Sequence, residues 1–221
     1  MRFNKIFWVS KDALEDYYYK DAIREKSIVL QNVIDSKKVI EKSNEYKYSK
    51  SYDLVYIGRL TTQKNPNKLI RIVKMIKDKR DKTTLALIGD GELKDEIKNE
   101  IEKNSLDKNV KMLGYVNNPF PILKRSKIFV MTSDYEGTPM AALEAQALGK
   151  PIIGTPVDGL SKIVVNNYNG FLHRDEKVLA NKIVEMLKPN EYEVYSANTI
   201  SSFNDRNNIG NYMNKILQTY E

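Results

Sequence analysis

The sequence predicts an α/β fold: a Rossmann-like parallel sheet with helices on both faces. Three observations lead there. From Asp53 onward, short apolar runs alternate with amphipathic segments. Several of those runs end in glycine-bearing turns, at Gly58, Gly89, Gly91 and Gly114. The stretch from Thr132 to Thr155 reads as strand end, loop and helix start, closed by Gly149 and Pro151. Strands alternating with helices imply a parallel sheet covered on both sides.

The first fifty residues differ from the rest. Lys5 to Ser10 reads as a strand, with Ser10 as the cap of a helix starting at Lys11 and carrying Leu14, Tyr17, Tyr18 and Ile23. The run Tyr17-Tyr18-Tyr19 fits base stacking, a membrane interface, or helical packing with one ring exposed, and packing is preferred. Ser27 to Leu30 is a second strand. Lys37 to Lys50 is polar and without clear periodicity, so it reads as a linker.

The alternation then sets in. Strand Asp53 to Ile57 leads to Gly58-Arg59-Leu60 and a helix from Pro66 to Lys77, with Leu69, Ile72, Val73 and Ile76 on one face. Strand Thr84 to Ile88 ends in Gly89-Asp90-Gly91, before a helix from Glu92 to Ile101. Strand Val110 to Leu113 ends in Gly114-Tyr115-Val116, before a short helix from Pro119 to Lys124. Strand Ile128 to Met131 precedes the loop to Met140, and Pro151 to Gly154 is the next strand. Asn169 to Leu172 is one more, followed by a helix near Val178 to Leu187. Phe203, Ile209, Tyr212 and Ile216 recur at near-helical spacing. The expected domains are residues 1–50 as a remnant and linker, 51–200 as the sheet domain, and 201–221 as a closing helix.

Ligands in such sheets bind beyond the carboxyl ends of the strands. Glycine turns there let backbone approach a ligand. Arg59 adds a fork suited to phosphate, and Lys64 a second cation. Thr138 is the expected N-cap of the helix after the fourth strand, with Pro139 at its first position. The unpaired amides of that first turn attract an anion. Glu136 lies just before the helix. Glu144 lies inside it, on a face shared with Met140, Leu143 and Ala147, where a charge is expensive without a partner. A functional ligand and a nearby lysine are both open as that partner.

Composition narrows the chemistry. The 221 residues contain no cysteine and one histidine, His173, so thiolate metal sites, disulfides and His-rich sites are excluded. His173 reads as structural or solvated. The formal charge of +7 suits acidic partners or simply solubility. No apolar run approaches the roughly 20 residues of a membrane span, and no signal peptide opens the sequence.

The ordered set Gly58-Arg59-Leu60, Lys64, Gly89-Asp90-Gly91-Glu92-Leu93, Leu113-Gly114-Tyr115-Val116, Ser133, Glu136-Gly137, Pro139, Leu143-Glu144-Ala145, Ala147, Gly149 and Pro151 resembles glycosyltransferase family 4 (group 1). Asp158-Gly159 and Asn169-Gly170-Phe171-Leu172 extend the likeness. It covers Asp53 to the C-terminus and resembles the donor-binding, C-terminal half of a GT-B fold. Val9-Ser10 and Asn32-Val33-Ile34-Asp35 resemble the end of the first domain and the hinge.

The resemblance implies roles. Arg59 and Lys64 would hold a donor diphosphate, together with the backbone of Gly58, Gly89, Gly91, Gly137, Thr138, Pro139, Met140 and Ala141. Glu144 would take the ribose, Tyr115 and Val116 the base, and Glu136 the transferred sugar. Glu136, Arg59 and Lys64 would carry catalysis, with retention of anomeric configuration and neither cofactor nor obligatory metal, although Asp134 and Glu136 superficially resemble an acidic metal pair. A UDP-sugar is favoured over a GDP-sugar, and a polysaccharide or glycolipid is the expected acceptor. Most of the first domain is missing from the match. The chain is therefore expected to be a donor half needing an acceptor domain or split subunit; the alternative is a non-catalytic nucleotide-sugar-binding module. An epimerase of similar fold lacks support, because its motifs are not seen. The expected location is cytoplasmic, at most at the inner face of the membrane through a peripheral contact. Homodimerisation through the N-terminal strand is the other partner option, and nucleic acid is not expected.

Overall fold

The computed structural model describes residues 4–9 and 11–219. Strand β1 (Ile6–Trp8) pairs in parallel with β2 (Ser27–Val29) as a separate two-stranded sheet. The Trp8 indole N–H donates to Ser27 Oγ at 3.0 Å. Between them lie α1 (Lys11–Glu15) and α2 (Lys20–Ile23). The continuous helix expected from Lys11 is therefore interrupted at the tyrosines. The break lets Tyr17 pack 5.4 Å from Trp8 and 6.0 Å from Tyr19, while Tyr18 points to solvent, 87% exposed. The expected Ser10 cap lies outside the described residues.

The expected linker also departs from expectation. Residues Ser36–Lys42 form α3, capped by Asp35, whose Oδ1 accepts the Lys38 amide at 3.1 Å. The helix buries Val39 alone, too few apolar positions for a periodic signal.

The main sheet follows. Its elements are β3 (Tyr52–Ile57), a 3₁₀ turn (Thr62–Lys64), α4 (Pro66–Lys77), β4 (Leu85–Ile88), α5 (Lys94–Lys103), β5 (Val110–Gly114), α6 (Phe120–Lys124), β6 (Ser126–Met131), α7 (Met140–Ala147), β7 (Ile152–Gly154), α8 (Asp158–Ser161), β8 (Gly170–Leu172), α9 (Glu176–Met186), α10 (Pro189–Arg206) and α11 (Ile209–Leu217). The strand order is β5-β4-β3-β6-β7-β8, and every pairing is parallel. The chain moves outward from β3 to β5, then returns to β6 on the other side of β3. This reversal leaves a crevice between the loops after β3 and β6.

Two cores flank the sheet because strand side chains alternate. Leu54 and Tyr56 face α4, α5 and α9, meeting Leu69, Ile97 and Ile183. Val55 and Phe129 belong to the opposite core, with Val39, Leu123, Leu143 and Leu160. Truncating a buried ring such as Phe129 to alanine costs about 3–5 kcal/mol by this logic.

The expected helix over 201–221 is not one element. Helix α10 runs through that boundary to Arg206, and a break at Asn207 precedes α11. The break has a cause. Asn207 Oδ1 accepts the Ile34 amide, and its Nδ2 donates to the Ile34 carbonyl, each at 2.9 Å. A side-chain amide thus pairs with both backbone polar groups of Ile34, holding the turn against continued helix.

At the opposite end of the sheet, Lys150 is 7% exposed and donates to the Lys124 carbonyl at 2.8 Å. Burial, assisted by the charge of Lys124, lowers its pKa to about 8. The unfolded chain, with a pKa of about 10.4, takes up this proton first as pH falls. The contribution to stability is highest above the unfolded value, falls between about 10.4 and 8, and is flat below. Wild-type protein should gain about 2 kcal/mol from this group between about pH 7.5 and 9.5. Urea unfolding of Lys150→Met at both pH values should show that increment abolished relative to wild type.

Candidate functional site

The loops after β3 and β6 meet at the crevice and are tied together by hydrogen bonds. The Asp134 amide donates to the Gln63 carbonyl at 2.9 Å, and Gln63 Nε2 donates to the Tyr135 carbonyl at 3.0 Å. Thr132 Oγ1 donates to the Asn65 carbonyl at 2.9 Å. Asn65 adopts a left-handed conformation, φ 46°, and caps α4 by accepting the Lys68 amide. Its Nδ2 also donates to both oxygens of Asp134.

This lacing brings Lys64 onto Glu136. The two form an ion pair, with side chains 17% and 9% exposed. They lie 72 residues apart in sequence. Asp134 is engaged separately, by Asn65 and by Lys68 at 3.9 Å. Glu136 is thus paired with a lysine, and Asp134 with a different lysine and an amide.

Arg59 sits at the exposed rim, and its guanidinium has no hydrogen-bond or ion-pair partner among the described residues. Its carbonyl accepts the Tyr56 hydroxyl at 2.9 Å. Tyr56 is 1% exposed, and burial together with the charge of Glu136 raises its pKa. The sequence carries no sign of Tyr56's place, because an interior strand tyrosine looks like any core residue.

Gly89, Gly91 and Gly159 are packed against protein backbone, whereas Gly114, φ 66°, faces open space. A Cβ on Gly89, φ 145°, would lie 1.8 Å from the Gly58 carbonyl oxygen. The Leu60 amide donates to the Asp90 carbonyl at 2.9 Å, so the turns after β3 and β4 are in direct register. Close approach of two loops requires Gly89 before any ligand is considered. Gly159 acts likewise on the Glu136 loop: its amide donates to the Glu136 carbonyl at 3.2 Å, and a Cβ there would meet the Gly137 oxygen at 1.5 Å.

Thr138 is not the N-cap of α7. Pro139 occupies that position in extended conformation, and Thr138 Oγ1 instead donates to the Val9 carbonyl at 3.4 Å. Proline cannot cap with a side chain, so the helix start keeps open donors. The amides of Met140 and Ala141 have no acceptor among the described residues, whereas those of Ala142 and Leu143 both reach the Pro139 carbonyl. Met140 is 43% exposed, and Asn32 Nδ2 contacts its Sδ at 3.7 Å.

Glu144 lies half-buried in α7 with no hydrogen bond or ion pair among the described residues. Burial raises its pKa, and the charge of Lys42 on α3 partly offsets this. Of the two partners open at sequence level, the lysine is thus present nearby but does not form a direct pair. Helix α3 packs against α7 and holds the loop after β5. Asn118 Nδ2 donates to the Lys42 carbonyl at 2.9 Å, and the Tyr46 hydroxyl donates to the Asn118 carbonyl at 2.9 Å. Tyr115 on that loop is 76% exposed, and Val116 leans on the core. His173 Nδ1 accepts the Asp175 amide at 3.0 Å, a turn contact away from the crevice.

Residues 37–202 match the family model of glycosyl transferases group 1. The chain belongs to that family. Among its relatives is an uncharacterised glycosyltransferase of Methanocaldococcus jannaschii, 36% identical over 153 residues, covering 66% of this chain and 37% of the relative. The Escherichia coli UDP-Gal:α-D-GlcNAc-diphosphoundecaprenol α-1,3-galactosyltransferase is 31% identical over 175 residues, covering 77% and 45%. A structure of Staphylococcus aureus TarM with fondaparinux, α-GlcNAc-glycerol and UDP superposes at TM-score 0.84 and 20% identity, over 99% of this chain and 44% of TarM. Anabaena HepE with UDP and glucose gives 0.83 at 19%, over 98% and 62%. The chain thus spans less than half the length of these curated relatives, and the structures establish its fold. No helix among the described residues is long and apolar enough to cross a membrane.

The Glu144 carboxyl should titrate above 4.5, and Lys42→Met should move it higher still, because removing a cation leaves burial unopposed. Carboxyl ¹³C chemical shifts followed through a pH series would check both.

Proposed function

We propose that this chain is the donor-binding half of a retaining glycosyltransferase that transfers sugar from a nucleoside diphosphate sugar, with UDP favoured, to a polysaccharide or glycolipid acceptor. The observation that carries the reading is the convergence at one crevice of unpartnered Arg59, the Lys64–Glu136 pair and the open amides of Met140 and Ala141. A diphosphate fits this set: Arg59 grips it in two places, and the helix start adds dipole and N–H groups. The phosphate draws Lys64 toward itself, which frees Glu136 for the sugar. Glu144, half-buried without a hydrogen bond, is suited to a ribose diol, and Tyr115 and Val116 to the base. The UDP in the TarM and HepE structures and the UDP-Gal named for the Escherichia coli relative support the choice of nucleotide.

In the transfer, the bond from the anomeric carbon to the phosphate oxygen breaks, and its electron pair stays on the diphosphate. Arg59, Lys64 and the α7 amides stabilise that charge, while the carboxylate of Glu136 favours positive character on the sugar. The acceptor hydroxyl oxygen then bonds to the carbon on the same face, and its proton passes to the departing diphosphate oxygen. No cofactor or metal enters these steps. The remainder of a longer protein, or a partner subunit, supplies the acceptor domain.

A non-catalytic binding module is the second reading, favoured by the partial coverage of the relatives. Calorimetric titration with UDP- and GDP-sugars should give binding by the UDP donors. Arg59→Ala should weaken it about 10- to 100-fold, the loss of a charged hydrogen-bonding group worth roughly 1.5–3 kcal/mol. Unchanged affinity would remove Arg59 from the phosphate site. Sugar transfer on adding an acceptor-domain partner separates the enzyme from the module.

A further inference from the structure

A second cleft lies beside the donor loop. It encloses about 420 Å³ between the hinge segment Val29–Val33, helix α7, the segment around α8 and the α10–α11 turn. Of the donor residues, Thr138 lines it, and so does Gly159, whose amide holds the Glu136 carbonyl. The cleft therefore opens next to the point where the sugar would sit, and neither Arg59 nor Lys64 contributes to it.

Two of its sides are tied within the protein. Asn207 accepts the Ile34 amide and donates to the Ile34 carbonyl. The Arg206 guanidinium donates to the Ser202 carbonyl at 3.0 Å, the Lys162 carbonyl at 3.1 Å and Gln146 Oε1 at 3.1 Å. All three acceptors are neutral, and no carboxylate lies within ion-pair distance of Arg206 among the described residues. A guanidinium has five N–H donors, so two remain after these bonds. Its charge is thus held in place without being neutralised.

The lining is cationic, with Lys162, Arg206 and Lys215 against the single carboxylate of Asp205. Lys162 is paired with Asp158 at 2.7 Å, which leaves Arg206 and exposed Lys215 to set the local field. Asn32, Asn208, Asn211 and Tyr212 supply neutral hydrogen-bonding groups, while Leu143 and Phe203 give an apolar floor. Amides over an apolar floor suit a polyol or sugar ring, and the excess cations call for an anion on it.

We propose that this cleft is an acceptor-side subsite that binds a phosphate ester of a hydroxyl-bearing molecule, so that the donor half itself carries part of acceptor recognition. The placement next to the sugar rests on the donor reading above. The binding of a phosphate ester does not.

The test is titration of sn-glycerol 3-phosphate, inorganic phosphate and glycerol into the 221-residue chain saturated with UDP, followed by amide chemical shifts. Glycerol phosphate should bind and shift the amides of residues 29–33 and 205–215, while inorganic phosphate and glycerol each bind at least fivefold more weakly. Lys215→Glu, on an exposed helix face, should weaken glycerol phosphate at least fivefold and leave UDP affinity unchanged. Arg206→Gln should weaken it further. Absence of binding overturns the proposal, as does equal binding of inorganic phosphate, or full affinity in Lys215→Glu. If UDP itself does not bind, the donor reading fails, and the same titration without UDP still decides whether the cleft takes the ester.

Discussion

The parallel pairing of β3 with β6 is the constraint on which the rest depends. Leu54 lies opposite Ile128 and Val55 opposite Phe129, although the strands are separated in sequence by two complete strand–helix units. The register brings the turn after β3 and the loop after β6 to the same height. Every tie in the site follows: Gln63 to Asp134 and Tyr135, Asn65 to Asp134, and Lys64 to Glu136. A shift of one residue would send Val55 and Phe129 into the wrong core and separate the two loops. The same apolar alternation therefore specifies the fold and the meeting of the charges.

Charges buried at such a meeting need each other. Glu136 is 9% exposed, and an unpaired carboxylate there would be strongly disfavoured. Glu144 is in a different state, partly buried with a cation nearby but no direct bond. One carboxylate is satisfied within the protein and the other is left wanting a hydrogen-bond donor. That contrast supports giving them different partners in the proposed reaction.

Much of the sheet was legible because strands buried on both faces leave continuous apolar runs, as at Leu85–Ile88, and because glycine punctuates their ends. The family was legible from spaced residues at those ends. Short elements were not. Helix α3 buries a single side chain, and the tyrosine run around Tyr18 breaks a helix through ring contacts that no local pattern encodes. Thr138 misled because its type suits a cap, while a long-range bond to Val9 takes its hydroxyl. Asn65 before Pro66 was a readable cap signal, since asparagine is a favoured N-cap and proline suits the first helical position. Tyr56 and Gly159 act through contacts made only in three dimensions.

The clasp between Asn207 and Ile34 has a mechanical consequence. The N–H and C=O of Ile34 are both held by one side-chain amide, so the segment entering α3 moves with the start of α11 as long as both bonds hold. The chain from Leu30 to Val33, just before this tie, has no regular structure. These four residues form one wall of the cleft beside the Glu136 loop.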